Sequence, residues 1–266
     1  MNHLLRSHAP ISDTAWRLLD QEATERLTPA LAVRKLVDFS GPHGWEHSAT
    51  NLGRTSPLSS APCEGVSGRQ RRVLPLVEAR AEFGLSRSEL RDAVRGAEDV
   101  DLDALDKAAR QIAVAENVAV FHGWEGAFGG IVDSSPHERV SLGDAAEAYP
   151  THVAGAVERL LCNGTAGPYG LALGREQYRR VVETAEHGGY PLLDHLRKIL
   201  EGPIVWAPGV RGAVVLSLRG GDFLFECGQD LSIGYDSHDG EIVRFYLEES
   251  FSFRVATPEA ALALMP

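Results

Sequence analysis

The chain has 266 residues, 44% of them apolar, and a formal net charge of −11. That length allows one large domain or two modest ones with a real core, and the acidity argues against a nucleic-acid or anionic-membrane surface. Three cysteines (Cys63, Cys162 and Cys227) are odd in number and form no CxxC pair, which fits a reduced cytosolic protein better than a disulfide scaffold or zinc site.

No apolar core follows the positive residue in the first ten positions, so no signal peptide is expected, and no apolar run reaches membrane-spanning length. After Pro10, Ser12 or Asp13 can cap a helix whose apolar residues, Trp16, Leu19, Ala23, Leu27 and Leu31, recur three and four apart. Pro29 either kinks that helix or follows a new cap at Thr28. Residues 34–39 read as extended and are closed by Gly41-Pro42-His43-Gly44. Residues 49–72 are Ser, Thr, Gly, Pro and scattered charge with no core signature. A segment that long without one suggests an arm reaching a neighbouring molecule, whose backbone pairs with the neighbour's. Ser86-Arg87-Ser88-Glu89 has the form of a capping box and opens a short helix ending near Gly96. A longer helix runs from Asp101 to His122 with Leu102, Leu105, Ala109, Ile112, Glu116 and Val120 along one stripe.

From Trp124 the texture changes to glycine-rich chain and then alternating helices and short strands. Helices are expected over 145–161, 175–186 and 192–200, and strands over 171–173, 204–207 and 213–218. The chain then alternates almost without error. Val243, Phe245, Leu247, Phe251, Phe253 and Val255 face one way, and Arg244, Tyr246, Glu248, Ser250, Ser252 and Arg254 the other. Only Glu249 breaks the apolar side. This is a half-buried strand of about 45 Å if unbroken, and with the strand-like run over 222–235 it makes a long terminal hairpin turning at Asp239-Gly240. The long helix is the candidate to pack along it.

Catalytic signatures fail throughout. There is no Walker loop, nucleophile elbow, HExxH or dinucleotide fingerprint, and no His with a Glu three residues before it. The residues alone therefore describe an α+β protein with a long arm, an inserted subdomain, no metal or cofactor site, and a character closer to an assembling structural protein than to an enzyme.

Five segments add a resemblance. APISDTAW at 9–16, KLVDFSGPHGWE at 35–46, GPYGLAL at 167–173, RGGDF at 219–223 and GQDLSIGY at 228–235 closely resemble encapsulin shell proteins of the linocin type, in the family's order. The resemblance runs from about residue 4 to residue 264. It implies a phage-capsid-like fold with a peripheral domain (1–48, 73–129 and 220–266), an extended loop (49–72) and an axial domain (130–219). It also implies a closed icosahedral shell of about sixty copies in the bacterial cytoplasm. A cargo enzyme, a dye-decolorising peroxidase or ferritin-like protein, would dock inside through a C-terminal peptide. The competing readings are a protease or bacteriocin-like enzyme and a prophage capsid protein.

The same resemblance places a cargo-peptide groove at Arg34, Asp38, Leu231 and Ile233. The two apolar residues would supply a trough, and the two charged ones would fix the peptide or pair with each other. It places a pore at the turn carrying Glu183, Glu186, His187, Gly188, Gly189 and Tyr190, where five copies would ring an opening with carboxylates. Some relatives hold a flavin on a tryptophan. The matching piece here, residues 85–89, has no aromatic residue, so no bound flavin is expected.

Overall fold

The structure is a computed structural model that describes residues 3–143, 145–185 and 189–266. Ser12 caps α1 (Asp13–Ala30), its Oγ accepting the Ala15 N–H at 3.3 Å. Pro29 sits in the last turn, and Thr28 opens no new helix because its hydroxyl donates back to the Thr24 carbonyl. A 3-10 turn, Val33–Lys35, then leads into the short β1 (Asp38–Ser40). The coreless segment is a hairpin, β2 (Ala49–Pro57) against β3 (Arg69–Pro75), whose strands pair with each other within the chain. Next come β4 (Val77–Ser86), α2 (Arg87–Arg95) and α3 (Asp103–His122). Ser86 caps α2 through the Ser88 N–H. Glu89 does not close the box but accepts the Asp101 N–H, tying α2 to the approach to α3.

The inserted part holds α4 (Ile131–Ser134), β5 (Val140–Ser141), α5 (Tyr149–Cys162), β6 (Tyr169–Leu173), α6 (Arg175–Glu183), α7 (Leu192–Leu200), β7 (Ile204–Trp206) and β8 (Ala213–Ser217). The chain closes with β9 (Phe223–Cys227), β10 (Ser232–His238), β11 (Ile242–Val255) and β12 (Ala261–Met265).

The first sheet is built on β11. Along one edge β4 pairs in register from Phe251↔Val77 to Ile242↔Ser86. Glu248 is matched to both Arg80 and Ser232, and Phe251 to both Val77 and Cys227, so β10 and β9 lie end to end along the other edge. The terminal hairpin is thus one long ribbon whose first strand is interrupted at 228–231. β1 adds to β9 in parallel and ends the sheet. The alternation held for one face of β11, but Phe245 to Phe253 are all buried. The polar face is covered as well: the Arg80 guanidinium lies 3.5 Å from the Tyr246 ring centroid, and Ser252 bonds Thr50.

The second sheet runs β5-β12-β8-β6-β7. Here the expected boundary of the terminal segment is corrected. β12 pairs with β8 and β5, so residues 261–265 belong to the inserted sheet, not to the peripheral part expected over 220–266. Its central strands β12, β8 and β6 are buried on both faces, which explains their unbroken apolar runs. Ala213, Val215, Leu262 and Leu264 join α5 and α7 in one core, while Val214, Leu216, Ala261 and Ala263 join the main core with α1, α3 and the first sheet. In that main core Phe223, Phe225, Phe245, Phe251 and Phe253 are each at most 2% exposed. Each contributes about 1.5–3 kcal/mol by burial. α3 packs between α1 and β4, and its predicted stripe is buried throughout, Glu116 included.

Candidate functional site

Two residues that violate an apolar pattern meet in space. Glu116 on the buried stripe of α3 and Glu249 on the apolar face of β11 are both 0% exposed. The 3-10 turn after α1 delivers Arg34 to them. Its Nε donates to Glu116 Oε2 at 2.9 Å, Nη2 to Glu249 Oε2 at 3.1 Å, and Nη1 to Asp230 Oδ1 at 2.6 Å. One guanidinium therefore serves three carboxylates, in the forked geometry that suits arginine and not lysine. Burial alone pulls the Arg34 pKa down, but the three carboxylates outweigh it and keep the group charged. Burial pushes Glu116 up, and pushes Glu249 up further, with Glu116 adding repulsion that Arg34 only partly offsets. The Cys227 thiol beside them is pushed up to about 12, mainly by burial and then by Asp230, which makes it an inert core group.

Asp230 reaches Arg34 because the ribbon bulges. Across 228–231 the pairing partner of β11 shifts by two residues between Cys227↔Phe251 and Ser232↔Glu248. Ser250 holds the detour: its carbonyl accepts the Gly228 N–H, its N–H donates to the Gln229 carbonyl, and its Oγ accepts the Gln229 N–H. Gly228 is required by close approach, since a Cβ there would fall 2.6 Å from Ser250 Oγ. One residue along α3, buried Asn117 completes the junction. Its Oδ1 accepts the Ala32 and Val33 N–H groups, and its Nδ2 donates to the Ala30 and Pro208 carbonyls. The end of α1, the arginine turn and a loop of the second sheet are all fixed to α3 by one side chain.

The four groove residues do not form one unit. Arg34 and Asp38 do not pair: the turn aims Arg34 inward, and the chain then straightens into β1, so Asp38 points elsewhere. Its Oδ2 accepts the Gly221 N–H at 2.6 Å, beside a cavity of about 160 Å³ lined by Lys35, Asp38, Leu218 and Gly220. Leu231 is half-buried next to Asp230 and Arg34. Ile233, at 2% exposure, is a core residue and not the wall of an open trough. Sequence reasoning missed Phe39, exposed on the edge strand β1, stacked on Phe225 and lying under the Arg34 guanidinium at 5.2 Å. It also missed the partnership of Glu116, Asp230 and Glu249, though the two charges on apolar faces were the signal.

At the turn expected to line a pore, Glu183 ends α6 and pairs with Arg179 at 3.3 Å. An Ala185↔Pro191 bridge closes the base of the loop, and exposed Tyr190 carries the Lys198 ammonium 4.9 Å from its ring centroid. Gly189 adopts φ +81°, a conformation glycine takes at little cost. Glu186, His187 and Gly188 lie outside the described residues. Among the described residues no cluster of His, Cys, Asp and Glu could hold a metal ion, and no helix is long and apolar enough to cross a membrane.

The family model described as encapsulating protein for peroxidase matches residues 1–252. A type 1 encapsulin shell protein of Rhodospirillum rubrum is 46% identical over 270 residues, covering 99% of this chain and 96% of that relative. The chain belongs to the encapsulin shell-protein family. Solved structures agree on the fold. A virus-like particle from Pyrococcus furiosus superposes with a TM-score of 0.65 at 18% identity, over 94% of this chain and 98% of that one. The capsid of Myoviridae phage XM1 does so with 0.53 at 10% identity, over 87% and 90%. The α+β architecture is thus the phage-capsid-like fold, and this encapsulin is a shell subunit: arm, long helix, terminal ribbon and inserted sheet are the parts of a shell tile.

Proposed function

We propose that this encapsulin closes into an icosahedral shell of about sixty copies in the bacterial cytoplasm, and that it acts as a container rather than a catalyst. The observation that carries this reading is the arm. β2 and β3 form a two-stranded ribbon with Leu58, Val66 and Val73 at least half exposed, and among the described residues no third strand pairs with it. An isolated two-stranded ribbon is marginal in water, so it needs a surface supplied by another copy. The 49–72 loop, the axial region (130–219 with β12) and the remaining peripheral region are the three functional parts of the tile.

The cargo is a peroxidase or ferritin-like enzyme whose C-terminal peptide binds along the β1 edge. Phe39 and Leu231 offer apolar contact, Asp38 and Arg34 flank them, and Ile233 lies beneath as support. Extended peptides bind in this way, with main-chain pairing for affinity and side-chain pockets for selection. Co-expression of cargo with Leu231→Asp should give intact shells with cargo loading reduced at least about tenfold, which corresponds to about 1.4 kcal/mol of binding. Unchanged loading contradicts the groove.

The 183–190 turn is proposed as the pore, with Glu186 and His187 as its charged ring, favouring cations at neutral pH and less so as the histidine protonates. Rates of cation entry into Glu186→Gln shells that equal those of wild type at both neutral and mildly acidic pH would remove that role.

A further inference from the structure

Glu116 and Glu249 present a charge problem that Arg34 alone does not solve. Both carboxyls are fully buried, both give one oxygen to the same guanidinium, and the Oε1 of each is buried without any donor. The groups facing them from every packed element are few. Arg34 comes from the 3-10 turn, Asp230 from the bulge, and the neutral thiol of Cys227 from β9. Asn117, next along α3, spends its amide on four backbone groups and has nothing left to give. With every carboxylate ionised, one positive charge would face three negative ones, two of them out of reach of water. Burying an unpartnered carboxylate oxygen is costly, and burying a second anion beside the first is more so. Two carboxylates cannot hydrogen-bond each other, since each only accepts. A single proton changes this: one carboxyl becomes a donor to the other, and the two groups are within reach of such a bond.

We infer that Glu116 and Glu249 hold one shared proton at neutral pH, forming with Arg34 a proton-dependent clasp between the long helix and the terminal ribbon. The arrangement has the logic of a carboxylic dyad, in which two acids too close to ionise together titrate as a pair rather than as separate residues. Here the pair is fully buried and serves no substrate. Its consequence is mechanical. While the proton is in place, α3, β11, the bulge and the turn after α1 are held by a closed set of bonds. When it leaves, two buried anions repel across the joint between the helix and the sheet.

The sign follows from the direction of the shift. Burial and mutual repulsion raise the pair's titration above the ordinary carboxylate range, so the folded state holds this proton more tightly than the unfolded chain does. The stabilisation is complete below the ordinary range, declines as pH rises, and is gone once the folded pair deprotonates in alkali. The clasp therefore loosens on the alkaline side, opposite to the usual acid-sensitive salt bridge.

Infrared spectroscopy of the full-length protein in D2O at pH 8 tests this directly, because a protonated carboxyl has a C=O stretch separate from that of carboxylates. The expected result is one protonated carboxyl per subunit in the wild type, absent from Glu249→Gln and from Glu116→Gln. In either variant the amide supplies the donor that the proton supplied before. The alkaline midpoint of unfolding should also move up by about one pH unit or more in Glu249→Gln, since its clasp has no proton to lose. A wild-type spectrum with no protonated carboxyl at pH 8 overturns the inference without needing any variant to fold. A band that persists in Glu249→Gln assigns the proton elsewhere and overturns it equally.

Discussion

The arm and the Arg34 junction are both rich in polar residues, and they use them in opposite ways. On the arm, Arg54, Arg71 and Arg72 are exposed, and the ribbon rests on no core of its own. At the junction, Arg34, Glu116, Asn117 and Glu249 lie inside the subunit, and each is bonded to groups on distant elements. Polar groups taken out of water must find partners within the fold, whereas polar groups left on a coreless ribbon are free for a partner outside it. The junction fixes the shape of one tile, and the arm is the proposed tie between tiles. On that proposal folding and assembly depend on separable parts of the chain.

The largest effect should come from the arm. Removing residues 52–68 should abolish shell formation while leaving a subunit with native secondary structure and a cooperative melt. Circular dichroism and sedimentation on the same sample check both halves, and intact shells would break the comparison. Arg34→Met should do the reverse. It leaves two buried glutamates without their cation and should destabilise the fold by about 3–5 kcal/mol, read as a lower urea midpoint. A loss confined to assembly, with the midpoint unmoved, would mean that the junction is not a folding element.

The smallest effect sharpens the contrast on the surface of the ribbon. Asp239 accepts the Glu241 and Ile242 N–H groups at the hairpin turn, and these bonds, with Arg244, lower its pKa to about 2. A lowered carboxylate stabilises the fold above the ordinary carboxylate range and loses that contribution as pH falls through about 2. The melting difference between wild type and Asp239→Asn should therefore be small, present at pH 6, and shrinking towards pH 2. A difference that grows on acidification contradicts the assignment.

Much of the fold around the junction was legible because periodicity is local. The stripe on α3 and the alternation of β11 follow from spacings within one element, and the arm was marked by lacking either. The self-pairing of β2 and β3 was not legible, since Arg, Thr, Ser and Pro show no alternation for a strand to declare. The place of β12 was not legible either, because Ala-Leu-Ala-Leu after Pro258 is too short and uniform to name its partner, and the 220–266 boundary left it in the peripheral part. The junction was half visible. Glu116 and Glu249 stood out as charges on apolar faces, but Arg34, which explains both, lies 82 and 215 residues away in the chain. The groove was read from resemblance at single positions, and the bulge at 228–231 determines which of them reach the surface. It leaves Leu231 half-buried beside Asp230, while Ile233 falls in the core.

The most direct test of the central claim is the mass of the purified full-length protein at neutral pH, measured by native mass spectrometry or mass photometry. A single closed species in the megadalton range, built of many 28.8 kDa chains, is the predicted result. A stable monomer or small oligomer that never closes, at any concentration, would contradict the reading of this chain as a shell tile.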